Sequence, residues 1–177
     1  MARIIFIYGL VAGLIIIAGI IGTVVLAGDQ PHGNVWLGYL IMLLGMSAIF
    51  MGVKRYRDRE RGGVIRFLPA LGIGLAIALM ASLAYVLVWE VYLAATDYAF
   101  MDQYIAATLE ARRAEGLSGD AYRTLEASYG EMSVAYQSPL YRLPMTFAEI
   151  FPVGLLVSVV SAILLRNSRF LPARARA

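Results

Sequence analysis

The stretch Phe67-Leu-Pro-Ala-Leu-Gly-Ile-Gly-Leu-Ala-Ile-Ala-Leu-Met-Ala-Ser-Leu-Ala-Tyr-Val-Leu-Val-Trp-Glu-Val-Tyr-Leu93 holds one charged residue, Glu90. As a helix it rises about 40 Å at roughly 1.5 Å per residue, more than the ~30 Å hydrocarbon core of a bilayer. It reads as a membrane span. Working outward, three more apolar runs are long enough to cross, at about Ile4–Leu26, Trp36–Val53 and Met145–Leu165. The second is the shortest and reaches Tyr56 if Lys54 and Arg55 snorkel. Each break has a cause. Gly28-Asp-Gln-Pro31 supplies turn residues, Arg57-Asp-Arg-Glu-Arg-Gly-Gly63 is charged and then flexible, and Pro139 and Pro144 bracket the start of the fourth run. Val25-Leu-Ala27 resembles a leader cleavage site, but the run before it exceeds the about 7–15 apolar residues of a signal peptide, so it reads as a retained span.

Composition agrees. Of 177 residues, 60% are hydrophobic, above the roughly 45–50% apolar content of soluble domains. The length fits one membrane domain over 1–177. With no cysteine, disulfides, thiolate metal sites and cysteine nucleophiles are excluded, and a single histidine, His32, excludes a histidine-rich cluster. There is no Gly-x-Ser-x-Gly elbow, and Gly62-Gly63 lacks the phosphate-loop pattern. No enzyme activity, cofactor or metal is therefore expected.

Charge sets the orientation. Of the 15 Lys and Arg residues, 11 lie in Arg3, Lys54–Arg66 and Arg166–Arg176. Four spans put these on one side, which the positive-inside rule assigns to the cytoplasm with both termini. Lys54, Arg55 and Arg57 are candidates for anionic lipid head groups. The pattern is that of membrane topology rather than nucleic-acid binding.

Segment 94–144 then lies outside. Met101, Ile105 and Leu109 keep helical spacing up to Gly116, and Tyr122, Leu125, Tyr129, Met132 and Tyr136 form a 3-4-3-4 seam. The fold class is thus all-α, four transmembrane helices with an extracytoplasmic helical hairpin between helices three and four. Tyr122, Tyr129 and Tyr136 are either the seam of that hairpin or an interaction surface for a partner. Small residues recur at packing distance: Gly9 and Gly13; Gly38, Gly45 and Gly52; Ala70, Gly74, Ala78 and Ser82; Gly154, Ser158 and Ala162. Such faces build a tight bundle or a homo-oligomer contact.

Two carboxylates sit within apolar segments, Glu90 in span three and Glu149 in span four, and an acid there is a functional-site hypothesis by default. Counting along the spans places both at similar outer depth. They fit a shared proton, a cation site with Asp29 or His32, an ion pair with an arginine such as Arg142, or hydrogen bonds that fix span register. Pro152 frees a backbone carbonyl near Glu149.

Lys54-Arg-Tyr-Arg-Asp58, Gly62-Gly-Val-Ile-Arg-Phe67 and Ala70, Trp89-Glu-Val-Tyr92, Phe100-Met-Asp-Gln-Tyr104 and Met145-Thr-Phe-Ala-Glu-Ile-Phe-Pro-Val-Gly-Leu-Leu156 occur together in this chain. In that combination it resembles the bacterial membrane family known as domain of unknown function number 4199, over nearly its whole length to Arg166. The resemblance implies a bacterial inner-membrane protein with four spans and a helical insert between the last two. It implies no substrate. Two functions are carried forward. One is a scaffold or accessory subunit whose outer hairpin meets an envelope partner. The other is a small homo-oligomeric transporter or channel handling a proton or cation through Glu90 and Glu149. Membrane lipids are expected partners of both.

Overall fold

The computed structural model describes residues 1–27 and 35–173. Asp29 and His32, considered above as cation ligands, lie outside the described residues, as do Arg174 and Arg176. The described chain is helical throughout: α1 Ala2–Ala27, α2 Val35–Glu60, α3 Phe67–Ala95, α4 Phe100–Ala114, α5 Gly119–Gln137 and α6 Pro139–Leu165. Of these, α1, α2, α3 and α6 are long and apolar enough to cross a membrane. In the bundle α3 packs on α1 and α6, and α2 packs on α1 and α6, closing a four-helix ring. Leu14, Leu44, Leu68, Leu87 and Leu156 stand exposed on its outside, as expected where lipid is the solvent. The helices α4 and α5 pack on each other, and α5 on α6.

Lipid gives little hydrophobic drive for helix association, so close approach through small residues must supply it. Most of the small-residue positions do this within the chain. A Cβ on Gly9 would sit 2.5 Å from the Met80 side chain, and one on Gly45 2.4 Å from Ile16. A Cβ on Gly74 would lie 2.9 Å from Cβ of Ser158, and one on Gly154 2.8 Å from Cβ of Ala78. The serines between these helices keep their hydroxyls satisfied internally, Ser82 donating to the Ala78 carbonyl at 2.9 Å and Ser158 to that of Gly154 at 2.7 Å. Gly38 differs from its seven-residue partners, with nothing within 4 Å of the position of its Cβ.

Two helices are longer than the sequence suggests. α2 continues past Val53 to Glu60 because its charges find partners: Lys54 pairs with Asp58 one turn on, and Glu60 lies 3.1 Å from the amino group of Met1. Gly62 and Gly63, at φ +61° and +89°, then turn the chain into α3. α6 begins at Pro139 rather than Met145, with proline in the first turn where its missing N–H costs nothing. Pro144 is therefore inside the helix and forgoes one bond to the carbonyl of Leu140, at an exposed helix start.

The assignment of Arg57 to lipid head groups is corrected by its burial. Its side chain is 0% exposed. Its guanidinium donates to Asp58 at 2.7 Å, to the carbonyl of Phe170 at 2.9 Å, and to that of Leu171. Phe170 in turn packs edge-on to Phe50 at 6.3 Å. Arg57 thus ties the segment after α6 to the end of α2. Lys54 is half-buried against Asp58, which leaves Arg55 as the exposed member of the three.

If the glycine contact sets the α3–α6 distance, Gly74→Val should lower stability by about 1–3 kcal/mol through overpacking. Gly72→Val, two residues away in open space, should leave it nearly unchanged. Thermal unfolding in detergent, followed by circular dichroism, compares them. Equal midpoints would show that the contact does not set the distance.

Candidate functional site

The antiparallel pairing of α3 and α6 has one register along its length. Gly74 meets Ser158 and Ala78 meets Gly154. Twelve residues beyond Ala78 on α3 stands Glu90, and twelve before Gly154 on α6 stands Arg142. They meet as a two-pronged pair, Nε of Arg142 donating to Oε1 of Glu90 at 2.6 Å and NH2 to Oε2 at 2.7 Å. Planar guanidinium and carboxylate match in this geometry, giving strong charge-assisted hydrogen bonds. The arginine side chain is 2% exposed and the glutamate 22%.

The remaining guanidinium nitrogen closes a corner. NH1 donates to the carbonyls of Tyr136 at 2.8 Å and Gln137 at 3.2 Å. Those are the last carbonyls of α5, which have no partner within their own helix, and a cation is favoured at that end of the helix dipole. Two rings sandwich the same group, Tyr98 at 4.8 Å and Tyr136 at 5.7 Å from its carbon. Tyr98 reaches this place through strain. Asp97 and Tyr98 follow α3 with φ of +50° and +56°, a left-handed region unfavourable for residues other than glycine. The amide of Tyr98 donates back to the carbonyl of Leu93 at 2.8 Å, stopping α3 and turning the chain into α4.

Next to the pair runs an aromatic wall. Trp89 stacks on Tyr92 at 5.2 Å, meets Phe100 edge-on at 5.0 Å, and lies parallel to Tyr85 at 6.2 Å. Its Nε1 donates to the hydroxyl of Tyr136 at 3.2 Å. Burial pushes the Tyr136 phenol up from its ordinary pKa, so it remains a neutral acceptor for that bond. Trp89, Leu93, Met101, Ile105 and Tyr136 form an apolar cluster separate from the bundle core, with Tyr129 and Met132 packed on it. That cluster seats α4 and α5 against the end of α3.

Beneath α4 and α5 the four long helices leave a cavity of about 580 Å³. Ile20 and Thr23 of α1, Gly38, Tyr39 and Met42 of α2, Tyr85 and Trp89 of α3, and Met145, Thr146 and Glu149 of α6 line it. Tyr104, Tyr129, Met132 and Tyr136 close it from the α4–α5 side. A second cleft of about 490 Å³ lies on the other side of Tyr136, among Asp97, Tyr98, Asp102, Ser133 and Arg142. Within it Ser133 donates to Asp102 at 2.8 Å.

The two carboxylates thus separate. Glu90 is held by Arg142 and does not line the larger cavity, whereas Glu149 does. Similar depth was the expectation, and the register explains the difference. Glu149 follows Arg142 by seven residues on α6, about 10 Å deeper at roughly 1.5 Å per residue. Among the described residues Glu149 takes part in no hydrogen bond or ion pair. Pro152 is exposed on α6 and outside the cavity. Of the seam tyrosines, Tyr129 and Tyr136 face the cavity, while Tyr122 stacks beneath Arg113 at 5.2 Å and joins α5 to α4. They form the seam rather than an outward surface. No group of three His, Cys, Asp or Glu residues is placed to hold a metal among the described residues. Tyr85 and Tyr98 enter the site without a sequence signal of their own, and Gly38, marked by its seven-residue spacing, lines the cavity instead of a helix contact. Arg142, expected from the sequence as an arginine partner for these acids, pairs with Glu90.

Arg142→Met should strand the Glu90 carboxylate and cost about 3 kcal/mol, the lower end for breaking a buried pair because Glu90 keeps some exposure. Adding Glu90→Leu to that variant should recover at least half the loss. Unfolding midpoints of both singles and the double test it, and strictly additive losses would show that the pair is not coupled.

No curated protein and no solved structure matches the chain. Residues 7–167 match the family described as "Protein of unknown function (DUF4199)". That span takes in most of α1, all of α2, α3 and α6, the α4–α5 pair, Glu90, Arg142 and Glu149, and the chain belongs to this family.

Proposed function

We propose that this four-span membrane protein binds a small, largely apolar molecule in the cavity beneath α4 and α5, and that its role is binding or carriage rather than catalysis. One observation supports this above the rest: a cavity of about 580 Å³, walled by aromatic and methionine side chains, that holds a single charged group, Glu149. Its size and lining are those of small-molecule sites, which are apolar with a few placed polar groups. Glu90 has a structural part in this reading. Its carboxylate is engaged on both oxygens, so a proton shared with Glu149 has no basis in the geometry.

The reading keeps both termini and the α2–α3 turn in the cytoplasm of a bacterial inner membrane, with α4 and α5 outside. The basic residues around α2 and the segment after α6 support it through the positive-inside rule. A second reading, an accessory subunit that meets an envelope partner through α5, rests on the outer face of that helix. There Val134 stands 71% exposed.

Gly38 gives a direct test, since it lines the cavity and a Cβ there meets nothing within 4 Å among the described residues. Native mass spectrometry of gently extracted protein should show a retained small molecule, and Gly38→Phe should remove it while the protein stays folded. Retention undiminished in Gly38→Phe would defeat the binding reading, and a co-purifying foreign subunit in place of a small molecule would favour the accessory one.

Orientation is testable separately, because the chain has no cysteine of its own. Ser118→Cys, between α4 and α5, should react with an impermeant thiol reagent in cells whose outer membrane is permeabilised. Arg59→Cys should react only after lysis, and the opposite pattern would invert the topology.

A further inference from the structure

We infer that the cavity beneath α4 and α5 selects an organic cation with an apolar body, using Glu149 as its counter-ion and the aromatic wall as its seat. This deepens the binding reading above and rests on it.

Charge decides the sign of the ligand. Glu149 is the one charged residue among those lining the cavity. Arg142, the nearest arginine on the same helix, has every guanidinium nitrogen engaged, on Glu90 and on the carbonyls of Tyr136 and Gln137. It lines the other cleft and not this cavity, with four of its five N–H donors already engaged. The free carboxylate lies seven residues further along α6, exposed on that helix at the edge of the cavity, in a segment apolar enough to span a membrane. An unpaired charge at such a position is costly, and a cation bound there lowers that cost.

The wall decides the rest. Tyr85, Trp89, Phe100, Tyr104, Tyr129 and Tyr136 bring π-systems to the cavity, and aromatic faces attract organic cations. Met42, Met132 and Met145 add adaptable apolar contact. A bare metal ion does not fit. A hard cation needs about six oxygen ligands, and no group of three Asp, Glu or His is available among the described residues. A diffuse, weakly hydrated cation asks for one counter-charge and a large apolar surface, which is what the cavity offers.

Two ions of nearly the same size and shape but opposite charge provide the test: tetraphenylphosphonium and tetraphenylborate. Each is titrated separately into the full chain in neutral maltoside micelles, with protein-free micelles subtracted. A Trp36→Phe background leaves Trp89 as the reporting tryptophan, since the chain has two. The cation should bind at least tenfold more tightly than the anion. Glu149→Gln should weaken the cation at least tenfold and leave the anion unchanged or tighter, with Glu149→Asp intermediate. Gly38→Phe should abolish the cation signal. Equal affinity for the two ions, both lost in Gly38→Phe, would overturn cation selectivity while the binding cavity stands. Ion binding untouched by Gly38→Phe would place the ions elsewhere and overturn both readings. No binding of either ion would overturn the cation inference. If Glu149→Gln fails to fold, the comparison of the two ions on the native residue at position 149 still decides.

Discussion

The close approach of α3 and α6 governs the rest of the molecule. Two helices in lipid have no excess of hydrophobic burial to gain by touching, so their separation is set by what can interlock. Here Gly74 lies under Ser158 and Gly154 under Ala78, each too close for an added methyl group. A contact that tight at two successive steps admits one register. The register then carries Glu90 to Arg142, twelve residues from the glycine contact on each helix. With Arg142 fixed, its third nitrogen receives the end of α5, and the α5–α6 corner is fixed too. Position of the α4–α5 pair, and hence the cavity beneath it, follows from a packing contact made at the opposite half of the bundle.

The ion pair is better understood as a constraint than as a source of stability. Arg142 is almost fully buried, and taking two charges out of water costs about as much as their attraction returns. What the pair provides is specificity. Any slip of α3 along α6 leaves a buried guanidinium without a carboxylate, and that loss is large. The strained backbone at Asp97 and Tyr98 belongs to the same device, because it delivers the Tyr98 ring onto the guanidinium. Arg57 repeats the logic at the other end, fully buried and shared between Asp58 and two carbonyls of the segment after α6.

Much of this was legible in the sequence, and the limits are instructive. The four spans follow from apolar length alone, because a helix in lipid is defined by the absence of charge over roughly 20 residues. The seam Tyr122–Leu125–Tyr129–Met132–Tyr136 also emerged from spacing, and all five residues are partly or fully buried. Helix ends were harder to place. Lys54–Glu60 looks like a loop by charge yet continues α2, since ion pairing one turn apart and a partner at Met1 satisfy those charges in helical form. Arg57 looked like a surface residue because sequence shows its charge and conceals the carbonyls that bury it. The depth of Glu149 differs from the count along the span because α6 starts at Pro139, six residues before Met145. Matching small residues across α3 and α6 would have given the register directly.

Glu90 and Glu149 show how register distributes roles between like residues. Both are acids within apolar helices, and by composition nothing separates them. One falls opposite an arginine that also caps a neighbouring helix, with all three of that arginine's nitrogens engaged. The other falls seven residues deeper, beside aromatic faces and open volume. If Arg142 served Glu149, Glu90 would be stranded and the α5 carbonyls would lose their donor, so among the described residues the fold keeps Glu149 unpaired. A charge kept unpaired by the demands of packing is available for a ligand, because binding there displaces no structural partner. The same contact that closes the bundle therefore leaves its cavity with a vacant counter-charge.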